Sequence, residues 1–203
     1  MPSFEIRKRR GKMVALVSDG EELMRIDTQV AIDEGLRENV DYDNEELARI
    51  KALSDSMRAK RRAYYMLAGR DYSTAELKRK LTRKDGEQAA QEAIEKMEQL
   101  RLLDDEEYAR SEAARLHEYK HFAPMRIVME LKQKGIDPLL AQTAVDELEI
   151  DEEDEVASLL RGKLGAKLGD EKENRRVFNA LVRYGYRPGT VRSAMREYIR
   201  NDD

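Results

Sequence analysis

Leu131-Lys-Gln-Lys-Gly-Ile-Asp-Pro138 and Leu181-Val-Arg-Tyr-Gly-Tyr-Arg-Pro188 are one pattern written twice, 50 residues apart. Each reads as a corner between two helices. Gly135 and Gly185 stand where a helix C-terminus adopts a left-handed backbone, which glycine does at little cost. The next residue, Ile136 or Tyr186, can fold back on the helix it leaves. Pro138 and Pro188 suit the first turn of the following helix, and Asp137 is a good N-cap for it. The likeness continues into that helix, where Ala144-Val145 and Ala194-Met195 occupy matching places. Leu81 lies another 50 residues upstream, but Leu81-Thr-Arg-Lys-Asp-Gly86 carries one extra residue before its glycine.

Other boundaries obey the same rules. Ser73-Thr-Ala-Glu76 has the capping-box pattern. Asp104-Asp-Glu-Glu107 offers an N-cap and an acidic first turn, which suits the helix dipole. Pro124 opens a helix over Met125–Lys134. These signals predict three helices per repeat: 57–68, 74–84 and 87–100; 105–120, 124–134 and 138–148; 152–168, 171–184 and 188–200. Ahead of them, strands are expected over 4–9, 12–18 and 22–26, with Gly11 and Asp19-Gly20 at the turns. A turn or short helix follows over 29–34, then a helix from Asp43 or Asn44 to Met57. The fold class is therefore mainly α: three tandem three-helix repeats, helix-turn-helix-like, in an elongated curved array, with a small N-terminal β-element. The divisions are 1–56 (β-meander and connecting helix), 57–103, 104–151 and 152–203. Each repeat is too small to hold a core alone, so neighbours must stack.

Composition fits. Of 203 residues, 39% are charged and 40% hydrophobic, with no Trp and three Phe, which is poor for one large globule and suits small helical units. The net charge of −4 excludes a uniformly basic DNA-coating protein. The charges are nevertheless polarised. From Asp55 to Gly86 ten cations face four acids, whereas Asp146–Glu155 holds eight acids and no cation. The absence of cysteine removes disulfides, thiol catalysis and Cys-ligated zinc. No run reaches the roughly 20 apolar residues of a membrane span, and no signal-peptide pattern opens the chain, so a cytoplasmic protein is expected.

Three segments in order, Arg70–Leu81, Leu102–Arg110 and Glu130–Ile136, together with the Gly185-Tyr186 corner, resemble the RecX family of regulators of the RecA recombinase. Residues 12–50 are similar to the β-containing extension of some members. The resemblance implies three tandem three-helix repeats, no enzymatic activity and no cofactor. It also implies binding to the RecA nucleoprotein filament, most often restraining it; a monomer is expected. DNA is implied as a further contact of some members. The chain departs from the family at His117-Glu-Tyr-Lys-His-Phe-Ala-Pro124, where a Gly/Lys-rich stretch is usual, and at Lys84-Asp85-Gly86.

The expected partner-facing residues are the cations Arg58, Arg61, Arg62, Arg70, Lys78, Arg79, Arg83, Lys84, Arg126, Lys132 and Lys134. Arg79 and Arg83, at i and i+4, can act together; Lys78-Arg79-Lys80 must point in different directions. Direct DNA binding without a recombinase partner is the alternative reading. Tyr64, Tyr65 and Tyr72 are expected in the core, as are Leu100, Leu103 and Tyr108 and the group Leu131, Ile136 and Leu139. His117-Glu-Tyr-Lys-His121 matches the letters of a zinc-hydrolase helix. Only two histidines exist in the chain, Lys120 sits inside the motif and Pro124 follows, so a polar helix end is the better reading. The acids 104–107 diverge around a helix start and read as capping rather than as a metal cluster. No catalytic or metal residue is assigned.

Overall fold

A computed structural model describes residues 4–202. The chain divides into two compact units between Asp104 and Asp105.

The first unit opens with an antiparallel meander of β1 (Glu5–Arg9), β2 (Met13–Ser18) and β3 (Glu21–Asp27). Asp19 and Gly20 turn β2 into β3 with φ of 50° and 84°, the primed geometry that matches strand twist. The pairing shifts register between Leu16 and Val17. Val14, Leu16 and Ile26 share one sheet face and bury against Val30 and Ala31 of α1 (Thr28–Asp33) and Leu47 and Ile50 of α2 (Asn44–Gly69).

The strands and α1 lie within a residue or two of their expected places. The helix expected to begin at 57 does not. α2 starts at an Asp43–Glu46 capping box and runs unbroken for 26 residues. No glycine or proline interrupts 44–68, so nothing in the sequence stops it there. Its second half contributes Ala59 and Ala63 to a different core, shared with α3 (Thr74–Asp85) and α4 (Glu87–Gln99). The alanines facing each other there (Ala59, Ala63, Ala89, Ala90 and Ala93) let the two helix backbones approach closely. Leu77, Leu81, Ile94 and Met97 fill the remainder.

Two buried carboxylates fasten α2 to its neighbours. Asp27 accepts from Arg61 at 2.8 Å, while its own N–H donates to Ser54 Oγ at 2.8 Å. Asp85 accepts from Arg62 at 2.8 Å and Arg58 at 3.2 Å. Asp85 is the extra residue of the first corner, and it is helical and buried. Gly86 then ends α3 and starts α4 at φ 89°, ψ 164°. That conformation differs from the left-handed corner expected from the repeat.

In the second unit α5 (Asp105–Lys120), α6 (Pro124–Gln133) and α7 (Pro138–Asp146) bury Tyr108, Leu116, Ile127, Leu131, Ile136 and Val145 together. The corner is as expected. Gly135 has φ 85°; its N–H bonds to Lys132 O and that of Ile136 to Leu131 O, the paired bonds that close a helix end. Asp137 caps Leu139 and Leu140. Gly185, at φ 100°, repeats the arrangement, with bonds to Val182 O from its own N–H and to Leu181 O from Tyr186. It does so between α9 (Glu171–Arg183) and α10 (Pro188–Asp202). Leu81, Leu131 and Leu181 are all fully buried.

The last repeat departs in its first helix. α8 (Glu152–Leu159) gives way to a π-turn over Leu160–Leu164 and a 3-10 turn over Gly165–Lys167. Gly162 there has ψ −122°. Two glycines lower the cost of leaving the α conformation, which is why the expected helix over 152–168 stops short. Ala123, from the corner before α6, sits in the last repeat's core, and its N–H donates to Tyr184 O at 2.8 Å. Within the second unit, the last two repeats thus stack corner against corner.

Several residues expected inside lie outside. Tyr64 and Tyr65 are 57% and 71% exposed and Leu139 is 77% exposed; Leu100 is half exposed. Alanines already fill α2's inner stripe, which turns the tyrosines outward. Leu139 lies in the first turn of α7, two residues past the Asp137 N-cap, and Leu100 caps the end of α4. Tyr72 is partly buried, against the first unit's helical core.

A Cβ at position 185 would overlap Arg126 Cβ and stand close to Ala123, on a backbone that L-residues rarely adopt. Gly185→Ala is expected to lower stability by about 2 kcal/mol, read as a shift of the urea midpoint. Gly189→Ala, with open space around it, is expected to leave the midpoint where it is or raise it.

Candidate partner-binding surface

The eleven expected cations fall into three groups. Arg58, Arg61 and Arg62 are spent on Asp27 and Asp85, with Arg58 also 3.1 Å from Asp55. Arg70, Lys78, Arg126 and Lys134 each reach an acid. These are Glu76 at 2.8 Å, Glu87 at 3.0 Å, Glu130 at 2.6 Å and Glu112 at 3.4 Å. The Arg70 guanidinium also lies 3.6 Å from the Tyr72 ring centroid, and that of Arg126 5.4 Å from Phe122. Arg79, Arg83, Lys84 and Lys132 are exposed and hold no acid partner among the described residues.

Three of those four lie on α3. Its inner stripe is Leu77 and Leu81. Arg79 and Arg83 form one outer row, and Lys80 and Lys84 form the next. Lys80 stands 5.8 Å from the Tyr72 ring. Lys78, on the remaining side, reaches Glu87. The three consecutive cations do diverge, and only the outer rows present free charge. Exposed cations on one face attract phosphate or carboxylate partners. This band, on a helix capped by Ser73 accepting from Glu76 N–H, is the most exposed and least neutralised candidate surface of the expected set.

A second basic region was only half legible. Arg58, Arg61, Arg62 and Tyr65 share one stripe of α2, at i, i+3, i+4 and i+7. Opposite them stand Gly11, Met13 and Arg25 of the sheet. Together these residues line an open depression of about 600 Å³. The helical spacing alone could have placed Tyr65 on that stripe. The sheet's contribution depends on a tertiary contact that no local pattern announces.

The histidine motif does not assemble. α5 ends at Lys120, and His121 already has φ 53°, so the two imidazoles do not share a helical face. His117 Nε2 lies 3.6 Å from Glu155. No group of three metal-ligating side chains converges among the described residues, and none of their helices is long and apolar enough to cross a membrane.

Comparison with known proteins places this architecture. The model of the first three-helix domain of RecX matches residues 59–97, and that of the second matches 104–145. "Regulatory protein RecX" of Trichlorobacter lovleyi is 30% identical over 136 residues, covering 64% of this chain and 88% of that protein. The chain belongs to the RecX family. The protein of the same name from Cronobacter sakazakii is 32% identical over 149 residues, covering 68% of this chain and 90% of that one. A crystal structure of regulatory protein RecX has the same fold at a TM-score of 0.61 and 17% identity, over 95% of this chain and all of that one. The matched domains contain α3 and the α6–α7 corner, so the cationic band lies within the family's shared part.

Electrostatics around Lys134 yield a pH dependence. Burial alone would push the Glu112 carboxyl up. The hydrogen bond from Arg115, with the charges of Lys134 and Arg115, outweighs this and holds it below its ordinary 4.5. A depressed carboxylate stabilises the fold above that value and loses its contribution as pH falls through the folded-state value. Glu112→Gln is therefore expected to flatten the decline of unfolding free energy below about pH 4.5, measured by urea titration. A second change tests the α2 clamp. Asp85→Asn leaves Arg58 and Arg62 without their charge partner and is expected to cost about 2 kcal/mol, less than a fully buried pair because the arginines are partly exposed.

Proposed function

We propose that this protein is a non-enzymatic regulator that binds the RecA nucleoprotein filament and restrains its recombinase activity in recombination and DNA repair. It would work as a monomer in the cytoplasm. Family membership supports the regulatory role, since the relatives carry the name regulatory protein RecX. The observation that carries the contact is the α3 band. Arg79, Lys80, Arg83 and Lys84 are exposed on a rigid helix whose other face is buried core. Such a row suits an acidic protein surface or the phosphates of a coated strand. Lys132, free beside the α6–α7 corner, offers a similar contact in the second unit.

Purified protein is expected to lower RecA's single-strand-dependent ATPase and to be retained by RecA filaments in a pull-down. Reversing charge at Arg79→Glu and Arg83→Glu together should weaken both by about tenfold, with the thermal melt unchanged because neither residue has an internal acid partner. If wild-type protein leaves the ATPase and strand exchange unaltered at every stoichiometry, the proposal fails.

A further inference from the structure

The α2–sheet depression and the hairpin beside it serve neither the core nor the α3 band. Three features set this region apart from an ordinary charged surface.

The first is how the guanidiniums are held. Asp27 and Asp85 have no exposed side-chain surface, whereas Arg58, Arg61 and Arg62 retain 26%, 30% and 42% of theirs. The carboxylates bind the arginines from below and are themselves out of reach. A ligand at the mouth therefore meets guanidinium edges already fixed in place, and forming contacts there costs little side-chain entropy.

The second is the β1–β2 hairpin. Its connection, Arg10-Gly11-Lys12, joins paired residues Arg9 and Met13. Gly11 lines the depression. Lys8, Arg10 and Lys12 surround it, exposed and without acid partners among the described residues. Arg25 stands on the adjoining strand, paired with Glu22 at 2.5 Å but still 61% exposed in its side chain, so it is an oriented cation like the α2 arginines and not a free one. Cations thus extend from the depression to the hairpin tip.

The third is Tyr65. It is 71% exposed and lies one turn beyond Arg61 and Arg62 on the same stripe. A large exposed ring is out of place on a purely electrostatic surface. Phosphates track fixed cations while bases stack on exposed aromatic rings, and the two together are the signature of single-strand recognition. An acidic peptide would use the arginines and leave the ring idle.

We propose that this region binds a single strand of nucleic acid, with its phosphates along Arg25, Arg58, Arg61, Arg62 and the hairpin tip and a base stacked on Tyr65. The proposal is independent of any recombinase contact, and its test contains no recombinase. Full-length protein is titrated into fluorescein-labelled 20-mers of dT and U and into a 20-base-pair duplex, at several salt concentrations. Tighter binding to the strands than to the duplex is expected, and the relative affinity of the two strands identifies the favoured sugar. Tyr65→Ala should weaken strand binding about tenfold while Tyr65→Phe retains it. Arg10→Glu and Arg25→Glu should each reduce the salt slope by about 0.7 or more. All three side chains are exposed, and the thermal melt verifies folding. The proposal is overturned if Tyr65→Ala and the two reversals bind as wild type does, or if Arg79→Glu with Arg83→Glu alone abolishes binding. Displacement of the strand by a poly-Glu 20-mer, together with a silent Tyr65→Ala, would assign the site to an acidic peptide and likewise overturn it.

Discussion

Short helices need definite ends, and one hydrogen-bonded device supplies four of them. A left-handed residue donates to the carbonyl three back, and its successor donates to the one five back. The device closes α6 at Gly135-Ile136 and α9 at Gly185-Tyr186. It also closes α1 at Gly35-Leu36 and α4 at Arg101-Leu102. Helices of nine to sixteen residues are marginal in isolation. Their stability comes from the faces they present, and those faces meet only if each helix stops in the right place. Ile136 and Tyr186 show why: both are bound into the stop, and both are buried core residues. Architecture and hydrophobic burial are thereby fixed by the same few atoms.

The dependence on local stops explains what could be read from the sequence. Where a glycine, a proline and an N-cap coincide, as over 134–138, the boundary is a matter of neighbouring residues and is legible. Where the stop is Arg101, at φ 55°, no residue type announces it. The long α2 is hidden for the opposite reason: repeat symmetry points to a start near 57, where the chemistry offers nothing to end a helix. Repeat symmetry is a weaker guide than local chemistry. The loosened first corner makes the same point, because its extra residue, Asp85, is there to hold two arginines.

The partner surface was less legible because counting charges does not say which are spent. The excess of cations over 55–86 is real, yet the arginines of α2 are engaged by acids from β3 and α3. Asp27 is 34 residues from Arg61, and Asp85 is 23 from Arg62. Only the tertiary fold separates the clamped cations from the free rows of α3. The tyrosines are obscured by a similar route. In this chain alanine lines the inner stripe of α2, and aromatic residues are left to the outside, where they are available to a ligand.

The unbroken helix α2 also bears on how the first unit comes apart. Its 26 residues extend about 40 Å at helical rise, with Leu47 and Ile50 in the sheet's core and Ala59 and Ala63 in the three-helix core. Two small cores with a common backbone cannot melt independently without fraying the rod that joins them. Neither is large enough to be durable alone. Joined in this way they form one structural element, whose amide protons in the strands and in α4 are expected to exchange through the same opening. The β-element is then the part that converts a marginal helical repeat into a folding unit.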